Sequence, residues 1–217
     1  MLLCCILILL LPASNVFAQP RTIRVVHTND VGGDLAEDGS SGGLGRVVAA
    51  VNKLRQEHPA LVLDAGNILG PDVISSWDGG QAAVEALTGA GYAAVGIGNH
   101  DLDYGVDMLS ARVKEAGFPF LAGNVKPVKG NDELPFKPYV IKEVNGVRVG
   151  IIGCLDENLA SRINPESAKV IEVTDPARSV KATMSALTSY GVDLTILLFH
   201  APPAATVNLA RSLPGLD

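Results

Sequence analysis

The run GIGNHDLDYG, residues 96–105, sets an amide, an imidazole and two carboxylates close together: Asn99, His100, Asp101 and Asp103. They follow at once on the apolar YAAVGIG. Such side chains bind divalent cations, the oxygen donors suiting hard ions and the imidazole suiting zinc, iron and their neighbours. His100 beside Asn99 also pairs a candidate ligand with a candidate acid or base. Asp103, three residues on, is near enough to hydrogen-bond the His100 ring and fix its tautomer. Three more apolar runs end in the same way: VVHTND at Asp30, LVLDAGN at Asn67 and TILLFH at His200.

Those endings need a frame that brings them together. TIRVVHT, ALVLDAGN, YAAVGIG, FPFLAGNV and DLTILLFH read as strands, rich in β-branched and apolar residues. Between them, SGGLGRVVAAVNKLRQEHP repeats apolar residues at helical spacing and stops at Pro59. GGQAAVEALTGAG is a helix closed by Gly91, VDMLSARVKEAG another, and ATVNLARSLPG the last. DPARSVKATMSALTSYG starts a helix at an Asp cap with proline next. KPYVIKEVNGVRVGIIGCLDEN is two strands about Asn145-Gly146, a hairpin signal. Alternating strands and helices predict an α/β domain with a largely parallel sheet, the hairpin adding an antiparallel part. Ligands of such sheets sit outside the carboxyl ends of the strands, which is where Asp30, Asn67, Asn99, His100 and His200 fall.

Each residue alone also suits a plain structural role. Asn99 and Asp101 are good helix caps, Asp30 can cap its own loop, and His200 can be a satisfied strand-end histidine. Four convergent strand ends favour function over four such coincidences. His27, inside its strand, reads as packing. His58, before Pro59, reads as a surface cap at a helix end. Asp64 faces the site or supports a loop, and no role is assigned to it.

The chain has 217 residues, 47% hydrophobic and 18% charged, enough for one domain with a substantial core. The net charge of −6 argues against nucleic-acid binding, which needs a basic face. MLLCCILILLLPASNVFAQP reads as a secretory leader cleaved after Ala18, removing Cys4 and Cys5. Its apolar stretch is too short to span a bilayer comfortably, so no stable membrane insertion is expected after cleavage. Residues 19–217 would then be the mature domain, exported to a periplasmic or extracellular space. One thiol remains, Cys154, read as a buried small hydrophobe.

VVHTND, LVLDAGN, GIGNHDLDYG, FPFLAGNV, VRVGIIGC and TILLFH, in this order, resemble the secreted 5′-nucleotidases and UDP-sugar hydrolases of the calcineurin-like metallophosphoesterase superfamily. The resemblance covers about residues 22–217. It implies a four-layer α/β/β/α sandwich with mixed, largely parallel sheets, incomplete at the C-terminus. It also implies a pair of divalent metal ions such as manganese, zinc or iron, and hydrolysis of a small phosphate ester, a nucleotide. Carried over, Asp30, Asn67, Asn99 and His200 stand at metal-ligand positions, His100 at the catalytic histidine and Asp103 at its supporting carboxylate.

Two positions depart from the family's pattern. Gly32 stands where Asp-x-His has its histidine, and Asn67 where an aspartate bridges the two metals. Two dications without a bridging anion repel strongly. The sequence also stops at Asp217, before the family's Gly-Gly-His-x-His motif, which reads as a partial domain. Asp34, two residues past Gly32, is a carboxylate that could reach into the site. The expectation is therefore a metal-dependent phosphohydrolase, with a single-metal variant or a metal-free envelope binding module as the competing readings.

Overall fold

The computed structural model describes residues 21–36, 43–130 and 133–217. The leader and its cleavage point lie outside the described residues.

Chain order runs β1 (Arg24–Thr28), α1 (Gly43–Glu57), β2 (Ala60–Asp64), α2 (Ser75–Asp78), α3 (Gln81–Ala90), β3 (Ala94–Gly96) and α4 (Val106–Glu115). It continues with β4 (Phe120–Leu121), β5 (Val125–Pro127), β6 (Tyr139–Val144), β7 (Val147–Leu155), α5 (Pro165–Val170), β8 (Ile171–Val173), α6 (Pro176–Ser189), β9 (Leu194–His200) and α7 (Pro203–Arg211). Short 3₁₀ turns cover His100–Leu102 and Glu157–Arg162.

Strands β1–β4 form one all-parallel sheet in sequence order. A second sheet has the order β6-β7-β9, antiparallel at β6–β7 and parallel at β7–β9. Period-two alternation explains the layering. In β2, Leu61 and Leu63 meet Val149 and Ile151 of β7 and Leu198 of β9 between the sheets. Val62, on the opposite face, packs with Val51 of α1, Leu87 of α3 and Leu109 of α4. In β7 the alternate residues Ile152 and Cys154 turn outward onto Val180 and Leu187 of α6 and Leu209 of α7. The result is the expected α/β/β/α sandwich, with the central strands β2 and β7 buried on both faces as covered strands must be.

The local signals act as read. Asp175 caps α6, accepting from the N–H groups of Ala177 and Arg178, with Pro176 next. Gly91 closes α3 at φ 72°, its N–H donating to Leu87 and Thr88. Asn145 and Gly146 turn the hairpin with φ of 51° and 71°. FPFLAGNV is not one strand, however. It divides into β4 and β5, and β5 pairs with β8 in a separate two-stranded sheet. Buried Asn124 makes the break: its amide donates to the carbonyls of Leu155 and Thr174 and accepts from Leu155 N–H. The segment between β7 and β8, which carries no strong periodicity, folds into a 3₁₀ turn and the short α5.

Candidate active site

The polar ends of β1, β2, β3 and β9 meet at one end of the sandwich. Asp30 follows β1 with φ 54°, and its N–H donates to Gly66 of the β2 loop. Asn67, in that loop, has φ 62°. Aspartate and asparagine are the non-glycine residues that tolerate this left-handed region best. Asn99 and His100 follow β3, and His200 is the last residue of β9. Asp30, Asn67, Asn99, His100 and His200 all line one cleft of about 930 Å³.

Asn67 is the hub. Its Nδ2 donates to Asp30 Oδ1 at 2.8 Å and lies 3.0 Å from His200 Nε2. Its Oδ1 accepts the His100 backbone N–H at 2.8 Å. Gly98 makes room for this: a Cβ there would stand 2.1 Å from Asn67 Oδ1. His200 Nδ1 lies 3.1 Å from the Ala65 carbonyl, which can only accept, so that nitrogen carries the proton and Nε2 presents its lone pair. Asp30 Oδ1 and His200 Nε2 are 3.8 Å apart. Asn99 is buried, and its side chain makes no hydrogen bond to the described residues, facing the cleft instead.

His100 and Asp103 form the pair expected of them. Nδ1 lies 2.7 Å from Asp103 Oδ2, so the ring donates there and Nε2 is left without a partner among the described residues. Asp103 is itself held from behind, its carbonyl accepting from Asn164 Nδ2 at 2.7 Å.

Two carboxylates, Asp101, read as a helix cap, and Asp64, given no role, hold the site up. Asp101 is fully buried and accepts four backbone N–H groups. Oδ2 takes Asn67 and Gly98, and Oδ1 takes Ile68 and Leu69. One side chain thus clamps the β2 loop to the β3 loop. Its capping role is excluded by this geometry. The sequence signal was present, since a carboxylate in a turn of small residues is matched to amide donors, but three of its four partners, Asn67, Ile68 and Leu69, lie more than thirty positions away. Asp64 supports its own loop: it accepts from Gly66 N–H at 2.7 Å and from the Thr28 hydroxyl at 2.5 Å. Burial pushes its carboxyl up to about 8, against those two hydrogen bonds.

Two expectations are corrected. His27 is not packed; it is exposed on edge strand β1 and lines the cleft, because the alternation that turns half-buried Val26 onto the core points His27 the other way. Asp34 does not reach the cleft. It lines a neighbouring depression with Gly32 and Asp72 that shares only Asp30 with it.

The donor set fits one divalent ion and does not fit a close pair. Asp30 and His200 give one carboxylate and one imidazole with a presented lone pair, and Asn99 adds an amide oxygen without a partner among the described residues. Among the described residues no three His, Cys, Asp or Glu side chains gather as a metal cluster. Gly32 brings no ligand, and Asn67 turns its NH₂ to the place where a shared anionic oxygen would be needed.

The sequence profile of the calcineurin-like phosphoesterases matches residues 23–214. The chain belongs to that family. Among relatives of this metallophosphoesterase, the snake venom 5′-nucleotidase of Gloydius brevicauda is 29% identical over 220 residues. The match covers 94% of this chain and 37% of that protein. The Haemophilus influenzae NAD nucleotidase structure superposes with a TM-score of 0.78 at 27% identity, covering 89% of this chain and 36% of that one. A 5′-nucleotidase precursor from Thermus thermophilus gives 0.75 at 28% identity, with 89% and 40% covered. The metallophosphoesterase domain here thus spans well under half the length of the relatives it matches. No helix among the described residues is long and apolar enough to cross a membrane.

Proposed function

We propose that this chain is an exported, metal-dependent phosphoester hydrolase acting on nucleotides or related phosphate monoesters. The observation that carries the reading is the His100–Asp103 pair, 2.7 Å apart, in the same cleft as Asp30 and His200. The relatives named as nucleotidases support nucleotides as the substrate class. The N-terminal leader supports export.

Asp30, Asn99 and His200 would hold one divalent ion, which when bound polarises the phosphoryl group and lowers the pKa of water. The remaining work falls to the chain. Asp103 holds the His100 ring through Nδ1, so that Nε2 faces the cleft and can pass a proton to the departing oxygen. Water adds to phosphorus, the ester P–O bond breaks, the leaving oxygen takes the Nε2 proton, and the ring regains one from the attacking water. Asn67 and Asp101 keep the two loops in register during these steps.

The test is metal content by elemental analysis, together with turnover of a nucleoside monophosphate and an aryl phosphate with added manganese or zinc. About one ion per chain and turnover abolished by His100→Ala is the expected outcome. A chain that takes up no metal and turns over neither ester points to the second reading, a binding module, which the Asn67 amide between Asp30 and His200 favours. Export is tested by the intact mass of protein recovered outside the cytoplasm; retention of Met1–Ala18 counts against cleavage.

A further inference from the structure

The charge around the cleft is carried mostly by carboxylates, yet a phosphate ester is an anion. Among the described residues lining the cleft, Arg162 is the one Lys or Arg. It is exposed and makes no hydrogen bond or ion pair with the described residues. Most arginines of that kind are solvated surface charges. The position of this one is built, however, and built against the catalytic loop.

Arg162 ends the 3₁₀ turn Glu157–Arg162. Asp156, buried at the end of β7, caps that turn by accepting from Asn158 N–H at 3.1 Å. The Asp156 N–H in turn donates to the carbonyl of His200. Leu159 and Ile163 on either side of Arg162 are buried in the main core. Immediately beyond, Asn164 Nδ2 donates to the Asp103 carbonyl at 2.7 Å, and Ser167 Oγ donates to the Leu102 carbonyl at 2.8 Å. The backbone carrying Arg162 is therefore tied at one end to His200 and at the other to the turn that holds His100 and Asp103.

We infer that Arg162 is the cleft's anion contact: its guanidinium binds a phosphate oxygen of the ligand while His100 attends the reacting group. This rests on the phosphoester reading of the same site. A guanidinium offers paired donors matched to phosphate oxygens and stays charged throughout the working pH range. The untethered side chain on a tethered backbone can close on a ligand without moving the loops that hold His100.

The experiment is calorimetric titration of the manganese-loaded chain with inorganic phosphate and with pyrophosphate, for parent, Arg162→Met and Arg162→Lys. Metal content is measured on each sample. Arg162→Met should bind phosphate roughly tenfold more weakly, with Arg162→Lys recovering part of the loss. Metal content and melting temperature should stay unchanged, since the side chain is exposed. A loss for phosphate itself places the contact on the phosphoryl group beside His100. A loss for pyrophosphate alone places it on a second anionic group. Equal affinity of parent and Arg162→Met for both probes overturns the assignment and leaves the metal reading intact. A parent that takes up manganese and neither probe does the same. A parent that takes up no manganese and no probe overturns both.

Discussion

The side-chain NH₂ of Asn67 stands 3.0 Å from Nε2 of His200, facing the lone pair that the Ala65 carbonyl leaves on that nitrogen. The same NH₂ donates to Asp30. A neutral amide thus satisfies, by two hydrogen bonds, the two groups best suited to a cation. Asn67→Asp would set a carboxylate oxygen against Asp30 Oδ1, and the like charges would repel. Metal-free Asn67→Asp should melt below the parent, and added manganese or zinc should raise its melting temperature more than the parent's. Scanning calorimetry with chelator and then with metal decides it; equal metal-induced shifts would place the ion elsewhere. Adding Gly32→His should help less than its chemistry suggests. Gly32 has φ 64°, so although there is room for a side chain the backbone strain costs about 1 kcal/mol or more.

Asp101→Asn should be among the most damaging isosteric changes in the chain. An amide nitrogen would face two backbone N–H donors where a carboxylate oxygen now accepts both. Leaving buried donors unsatisfied costs about 1–3 kcal/mol each. Urea unfolding should show a midpoint well below the parent's, and metal uptake should fall with it because the loops that carry Asn67 and Asn99 lose their common anchor. A variant as stable as the parent would contradict the clamp.

Asp64 gives a pH dependence with a definite sign. Its carboxyl is held up at about 8 from an ordinary 3.8, so the folded chain keeps a proton that the unfolded chain releases. This contribution to stability is complete below about pH 4 and is lost progressively as pH rises to about 8. Asp64→Asn mimics the protonated acid toward Thr28 and Gly66. Between pH 5 and pH 8 the parent should lose more stability in urea titrations than Asp64→Asn does; parallel losses would place the proton elsewhere.

Burial pushes the Cys154 thiol up to about 12, with Leu187 and the rest of the outer core packed over it. At pH 8 it should resist iodoacetamide in the folded chain and react fully once the chain is unfolded in denaturant. Peptide mapping by mass reads this directly. Rapid alkylation of the native protein would mean that the α6 layer opens readily.

The sequence carried those features that depend on near neighbours. The Asp175–Pro176 start of α6, the Gly91 stop of α3 and the Asn145-Gly146 hairpin are local, and each forms as its residues dictate. The convergence of Asp30, Asn67, Asn99, His100 and His200 was also legible, since every one follows an apolar run at a strand's carboxyl end. What sequence spacing does not carry is long-range pairing. Asp101 with the β2 loop, Asn124 with Leu155 and Thr174, and Asn164 with Asp103 join residues far apart in the chain. Arg162 was invisible for the same reason: its turn has no periodicity, and only the tertiary ties bring it to the cleft.

The ends of two separately built sheets share the hub at Asn67. Asp30 and Asn67 belong to loops of the first sheet and His200 to the second, so anything seated there is a rivet through the sandwich. With the amide alone, the sheets are joined here by the hydrogen bond from Asn67 to His200 and the one from His200 Nδ1 to the Ala65 carbonyl, and the apolar layer between them does the rest. An ion across Asp30 and His200 would couple the opening of the two sheets. Amide hydrogens near the ends of β2 and β9 should then exchange together, and slowly, where before each sheet frayed on its own clock.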